Sequence, residues 1–137
     1  MTDVYVLDSF AILALLGREA GSDEVADLLR QAQEEEVQAA MTWVNVGEVA
    51  YIVERRWGKV RTYQVLGTLE SMKVEIVPIG RELALAAAHI KAGHSLAYAD
   101  AFAAALAASK GATLVTGDPE FKTLDESLSI HWLSQDS

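Results

Sequence analysis

Asp8, Glu48, Asp100 and Asp118 are carboxylates set against apolar sequence. Asp8 closes the run Val4-Tyr5-Val6-Leu7, and Asp118 follows Ala112-Thr113-Leu114-Val115-Thr116 by two residues. At helical spacing Asp100 has Leu96, Ala97, Ala103, Ala104 and Ala107 along its stripe. Glu48 has a mixed stripe of Val44, Asn45, Tyr51 and Ile52, with Arg55 two turns on. An ionised carboxylate removed from water is costly unless it is paired or bound to metal, so four that converge ask for a cation. Oxygen donors without Cys or His select hard ions, Mg²⁺ or Mn²⁺, over zinc. Such ions suit phosphodiester hydrolysis, where they activate water and stabilise the charge growing on phosphate. Taken singly the acids are unequal. Asp100 points to function by itself, because a first-turn acid ordinarily faces water. Asp8 reads equally as a helix cap, with Ser9 as a polar helper. Turn chemistry also explains Asp118 in Thr116-Gly117-Asp118-Pro119, and Glu48 alone is an ordinary amphipathic-helix acid.

The elements that must position these acids alternate. Strands are expected at Val4–Leu7, Val37–Thr42, Val74–Val77, Ala112–Thr116 and, on an edge, Ile130–Leu133. Helices are expected at Phe10–Leu16, after Gly21-Ser22 with Ser22 as cap, at Val44–Trp57, Val60–Met72, Arg81–Ala92 and Leu96–Ser109. This order implies a three-layer α/β/α sandwich around a mostly parallel sheet of four to five strands. Ligands in such sheets bind beyond the carboxyl ends of the strands. Asp8 and Asp118 follow strands, Glu48 lies in the helix entered from the second strand, and Asp100 opens the helix leading into the fourth. One sheet edge therefore collects all four.

Composition bounds the answer. The 137 residues, 51% hydrophobic and 23% charged, are read as one folded domain over 1–137. No cysteine is present, so disulfides and thiolate metal sites are excluded. The early apolar run is too short to span a bilayer and follows acids, so the expectation is a cytoplasmic protein with no membrane contact. A net charge of −9 argues against a polyanionic partner. Two divalent ions on the four acids would leave about −5 on the rest. Arg55, Arg56, Lys59 and Arg61 concentrate positive charge and read equally as helix-end decoration or as candidate RNA-binding residues. No HExxH, GxSxG, Walker A or GxGxxG pattern occurs.

Four motifs in order carry a family resemblance. They are Val6-Leu7-Asp8-Ser9 followed by the apolar helix to Leu16, Val46-Gly47-Glu48-Val49, Leu96-Ala97-Tyr98-Ala99-Asp100-Ala101, and Leu114-Val115-Thr116-Gly117-Asp118-Pro119-Glu120-Phe121. Over Val4 to about Leu133 the chain resembles the PIN-domain ribonucleases, and among them the VapC-type toxins of toxin–antitoxin pairs. The resemblance implies a Mg²⁺- or Mn²⁺-dependent endoribonuclease with Asp8, Glu48, Asp100 and Asp118 around the metal. It also implies polar support from Ser9 and Thr116, a homodimer, and a small antitoxin whose tail blocks the cleft. Gly117 departs from the pattern, standing where relatives often carry a polar or basic residue. Other readings are a housekeeping RNA-processing nuclease of this family and a non-catalytic binding module. A haloacid-dehalogenase-like phosphatase would need an acid in place of Phe10. A response-regulator receiver would need spacings that the chain lacks.

Overall fold

Each strand is short and apolar, and each is handed to the next by helices whose caps are written in the sequence. The computed structural model describes residues 2–136. Strand β1 (Val4–Leu7) leads into α1 (Ser9–Leu16), whose N-cap is Asp8 and whose last turn closes on Gly17. Helix α2 (Ser22–Gln33) carries Asp23 and Glu24 in its first turn and Arg30 in its last, each sign suiting the helix dipole. Strand β2 (Gln38–Thr42) is followed by α3 (Trp43–Trp57), capped by the Thr42 hydroxyl, and α4 (Lys59–Ser71). Strand β3 (Val74–Val77), α5 (Arg81–Gly93), α6 (Tyr98–Lys110) and β4 (Thr113–Thr116) come next. A 3₁₀ turn, Pro119–Leu124, leads on to β5 (Ile130–Trp132).

Two local expectations are corrected. Ser22 is the first helical residue of α2 rather than its cap, and Gly21 takes the cap position at φ +88°. A Cβ at Gly21 would lie 2.9 Å from Leu133 Cβ, so backbone conformation and close packing both favour glycine there. Helix α6 begins at Tyr98, two residues later than expected, because Ala97 is extended (φ −63°, ψ 151°) and takes the cap position.

All five strands are parallel, in the order β3-β2-β1-β4-β5. The chain moves outward from β1 through β2 to β3, then returns to lay β4 on the other side of β1. The crevice between β1 and β4 is therefore the point where the strand order reverses, the expected ligand site of such a sheet. Helices α1 to α4 cover one face, packing Ile12, Leu29, Val49, Val53 and Val65 against Leu7, Met41 and Val115. Helix α6 and the 3₁₀ turn cover the other, setting Ala103, Ala104, Leu106 and Phe121 against Val6, Ala40 and Leu114. Helix α5 packs outside α6 through Ala87, Ala101, Phe102 and Ala105.

Helix α6 is buried without interruption from Asp100 to Ala107. Its alanines suit that location, since they favour helix and let the sheet and α5 approach on opposite sides. No helix of the described residues is long and apolar enough to cross a membrane.

Candidate active site

Strand register begins the site. Leu7 pairs with Val115, so Asp8 and Thr116 stand next to each other at the carboxyl ends of β1 and β4. The Thr116 hydroxyl donates to Asp8 Oδ2 and accepts the Asp118 amide at 3.0 Å, tying the two strand ends together. Asp8 Oδ1 accepts the Ala11 amide at 2.9 Å, so one carboxylate both caps α1 and faces the crevice. The helix-cap reading of Asp8 is borne out. Asp8 and Thr116 are fully enclosed.

Asp118 is likewise two things. Its Oδ1 accepts the Glu120 amide at 2.9 Å and caps the 3₁₀ turn, while its backbone places it beside Asp8. Phe121 and Leu124, both buried, anchor that turn. Burying an aromatic of this size stabilises by roughly 1.5–3 kcal/mol, which anchors the turn that carries Glu120 and is capped by Asp118. Gly117 precedes them with no space for a side chain. A Cβ would lie 2.4 Å from Phe10 Cε1 and 3.1 Å from Gln135 Nε2. The close Phe10 ring favours glycine at this position. Gly117→Ala is expected to lower stability by about 1–3 kcal/mol as the Phe10 ring is displaced, a shift that chemical denaturation measures.

The two helical layers bring the remaining acids. Glu48, on α3, accepts a hydrogen bond from Ser9 Oγ at the start of α1. Asp100, only 6% exposed, enters from the opposite layer in the first turn of α6. Its position is fixed by Asn45, fully buried on α3, whose Nδ2 donates to the Ala99 carbonyl at 3.1 Å. Asn45 is itself held by Thr42, whose hydroxyl donates to its Oδ1 at 2.6 Å. Thus the cap of α3 also sets the approach of α6.

Charge accumulates without compensation. Asp100 is raised to about 7, first by burial and then by Asp118, Asp8, Glu120 and Glu48. Asp8 is also raised to about 7, mainly by burial, against the lowering effect of the Thr116 and Ala11 hydrogen bonds; Asp118 and Glu48 push it further up. The strongest charges acting on either group are carboxylates. Among the described residues, Asp100, Asp118 and Glu120 cluster, one carboxylate oxygen of each lying within 4.8 Å of the others. Asp8 and Glu48 adjoin that cluster rather than completing it. The donors are all carboxylate oxygens, a set that fits a hard divalent cation.

Sequence reading missed Glu120 and Asn45. Glu120 Oε1 also accepts the Ala97 amide at 2.9 Å, fastening the segment before α6. The available signal was Asp118-Pro119, a cap followed by proline at the first helical position. The basic residues lie elsewhere. Arg55 and Arg56 occupy the last turn of α3, Lys59 and Arg61 begin α4, and all four are exposed.

The family model described as PIN domain matches residues 5–127. The chain belongs to the PIN-domain family. Its fold is shared by solved structures of PIN-domain toxin–antitoxin systems. VapBC2 from Rickettsia felis, bound to a DNA fragment from its promoter, matches with a TM-score of 0.74 at 19% identity, over 96% of this chain and 99% of that one. DNA-bound VapBC from Salmonella typhimurium gives 0.72 at 20% identity, over 96% and 98%. VapC20 from Mycobacterium tuberculosis, a toxin that cleaves the sarcin–ricin loop, gives 0.70 at 18% identity, over 90% and 95%. A comparison with curated proteins returned no match.

Proposed function

We propose that this PIN-domain chain is a Mg²⁺- or Mn²⁺-dependent endoribonuclease and the toxin of a VapBC-type pair. The observation that carries the metal requirement is the meeting of acids from four elements, Asp8 and Asp100 buried and Glu48 and Asp118 half-buried, with the strongest charges acting on Asp8 and Asp100 all carboxylates. Asp8, Glu48, Asp100 and Asp118 are assigned as the metal-holding and catalytic acids, with Glu120 added from the cluster beside Asp100. When bound, the ion supplies Lewis-acid stabilisation of the phosphate and lowers the pKa of water. Thr116 keeps Asp8 and Asp118 at a fixed separation, and Ser9 orients Glu48.

RNA as substrate, a small antitoxin as partner, a homodimer and a cytoplasmic location belong to the same reading. Their support is family membership together with a fold shared with VapBC complexes and with a toxin that cleaves the sarcin–ricin loop. Those neighbours favour the toxin over a housekeeping nuclease. The basic group Arg55, Arg56, Lys59 and Arg61 gives the otherwise acidic chain a place to meet phosphate.

Purified chain incubated with a mixed RNA pool and millimolar Mg²⁺ or Mn²⁺ is expected to yield internal cleavage products, and EDTA to abolish them. Equal cleavage in EDTA would remove the metal assignment. An RNA pool left intact by folded, metal-loaded protein would turn the reading toward a binding module.

A further inference from the structure

Helix α3 carries the site outward. Glu48, Tyr51 and Arg55 lie at i, i+3 and i+7 and so share one face. Along the axis Tyr51 stands about 4.5 Å and Arg55 about 10.5 Å beyond Glu48. Glu48 is tied to Ser9 at the acid cluster, so this face starts at the site and leaves it. Tyr51 is 50% exposed, and the Arg55 guanidinium lies over its ring at 5.1 Å from the centroid. Arg56 is the next residue in the last turn of α3, and Lys59 and Arg61 open α4 after the chain turns at Gly58. The order along α3 is therefore acid, aromatic, arginine.

We propose that Tyr51 and Arg55 form a stacking and phosphate clamp that positions the RNA strand next to the cleaved bond. This rests on the nuclease reading above. Three properties favour a nucleic-acid strand. An exposed ring offers a π-face to an unstacked base without regard to sequence. An arginine resting over that ring, 5.1 Å from its centroid, is pre-organised and keeps its donors for a phosphate. The pair also lies within one to two helical turns of Glu48, so a strand gripped there presents a neighbouring phosphate to the acids. An anionic centre repels its own substrate, and a nearby cationic, aromatic station offsets that repulsion. Tyr51 and Arg55 are positioning residues in this proposal, since they touch nucleotides away from the bond that breaks.

The test compares Tyr51→Ala, Tyr51→Phe and Arg55→Ala with the unmodified chain in Mg²⁺- or Mn²⁺-dependent cleavage of a single-stranded RNA oligonucleotide. Tyr51→Ala is expected to raise KM about tenfold with kcat little changed, in line with the loss of one base–aromatic stack. Tyr51→Phe keeps the ring and is expected to behave as the unmodified chain. Arg55→Ala is expected to raise KM and to reduce the salt slope of log KM by about 0.7, the loss of one single-strand phosphate contact. Circular dichroism and sedimentation of each variant accompany the kinetics.

Unchanged KM in folded Tyr51→Ala overturns the clamp while leaving the nuclease reading intact. A change in oligomeric state on Tyr51→Ala, with kinetics that follow it, assigns the residue to a protein interface and also overturns the clamp. Failure of the unmodified, metal-loaded chain to cleave any RNA removes the nuclease reading and the clamp together.

Discussion

Asp100→Asn is expected to abolish RNA cleavage and at the same time to make the metal-free protein more stable at pH 8. The two effects have one cause. Asp100 is buried at the start of α6 and faces Asp118, Asp8, Glu120 and Glu48, so its ionised form is opposed both by desolvation and by like charges. Asparagine has nearly the same shape and carries no charge, so the metal-free variant is relieved of that repulsion. The gain is on the order of a few kcal/mol, or a rise in melting temperature of about 5–10 °C for a chain of this length. The same charge is what holds a divalent ion, and losing several kcal/mol of transition-state stabilisation slows the reaction by about 10³-fold or more. Differential scanning calorimetry in EDTA and a cleavage assay with Mn²⁺ check the two arms. A less stable, inactive variant would make Asp100 a structural residue; a more stable, active one would remove it from the site.

Sequence made the architecture legible because burial on both faces of a parallel sheet writes itself as short apolar runs between helical stripes. Leu7 and Val115 are such residues, and the reversal of strand order at their register brings Asp8 and Asp118 together. Asp100 was readable because a carboxylate on an alanine stripe has no solvent to face. Glu120 was not, because its place depends on a 3₁₀ turn only six residues long. A single turn carries too few residues for any hydrophobic period, leaving only the cap and the proline as signals. Asn45 was hidden for a different reason. A buried asparagine in a helix looks like an ordinary polar residue until its partner, the Ala99 carbonyl 54 residues away, is known. The cap of α2 was shifted by one residue because Gly21 fits against Leu133 from the far end of the chain, which local propensity does not contain.

The same chemistry predicts how pH and metal act together on stability. Asp8 and Asp100 both have folded-state pKa values raised to about 7 from 3.8. The folded protein therefore binds protons more tightly than the unfolded chain, and stability must fall as pH rises between these limits. The contribution is fully present below pH 4, is lost progressively through pH 7, and changes little above it. One such group acting alone accounts for on the order of 4 kcal/mol. Asp8 acts on Asp100, so the pair titrates as a unit and the total is less than the sum of two independent groups. A divalent ion competes with those protons for the same oxygens. Its stabilising effect, set by free concentration over the dissociation constant, is therefore expected to be small at pH 4.5 and to grow towards pH 8. Melting curves at pH 4.5, 6 and 8, with and without 10 mM Mg²⁺ (about the upper end of millimolar working concentrations), read this directly. The metal-free melting temperature should fall across the series, and the metal-induced rise should increase across it. In Asp100→Asn both trends should flatten. A metal-induced shift of equal size at every pH would place the ion on surface acids instead of the carboxylates at the β1–β4 crevice.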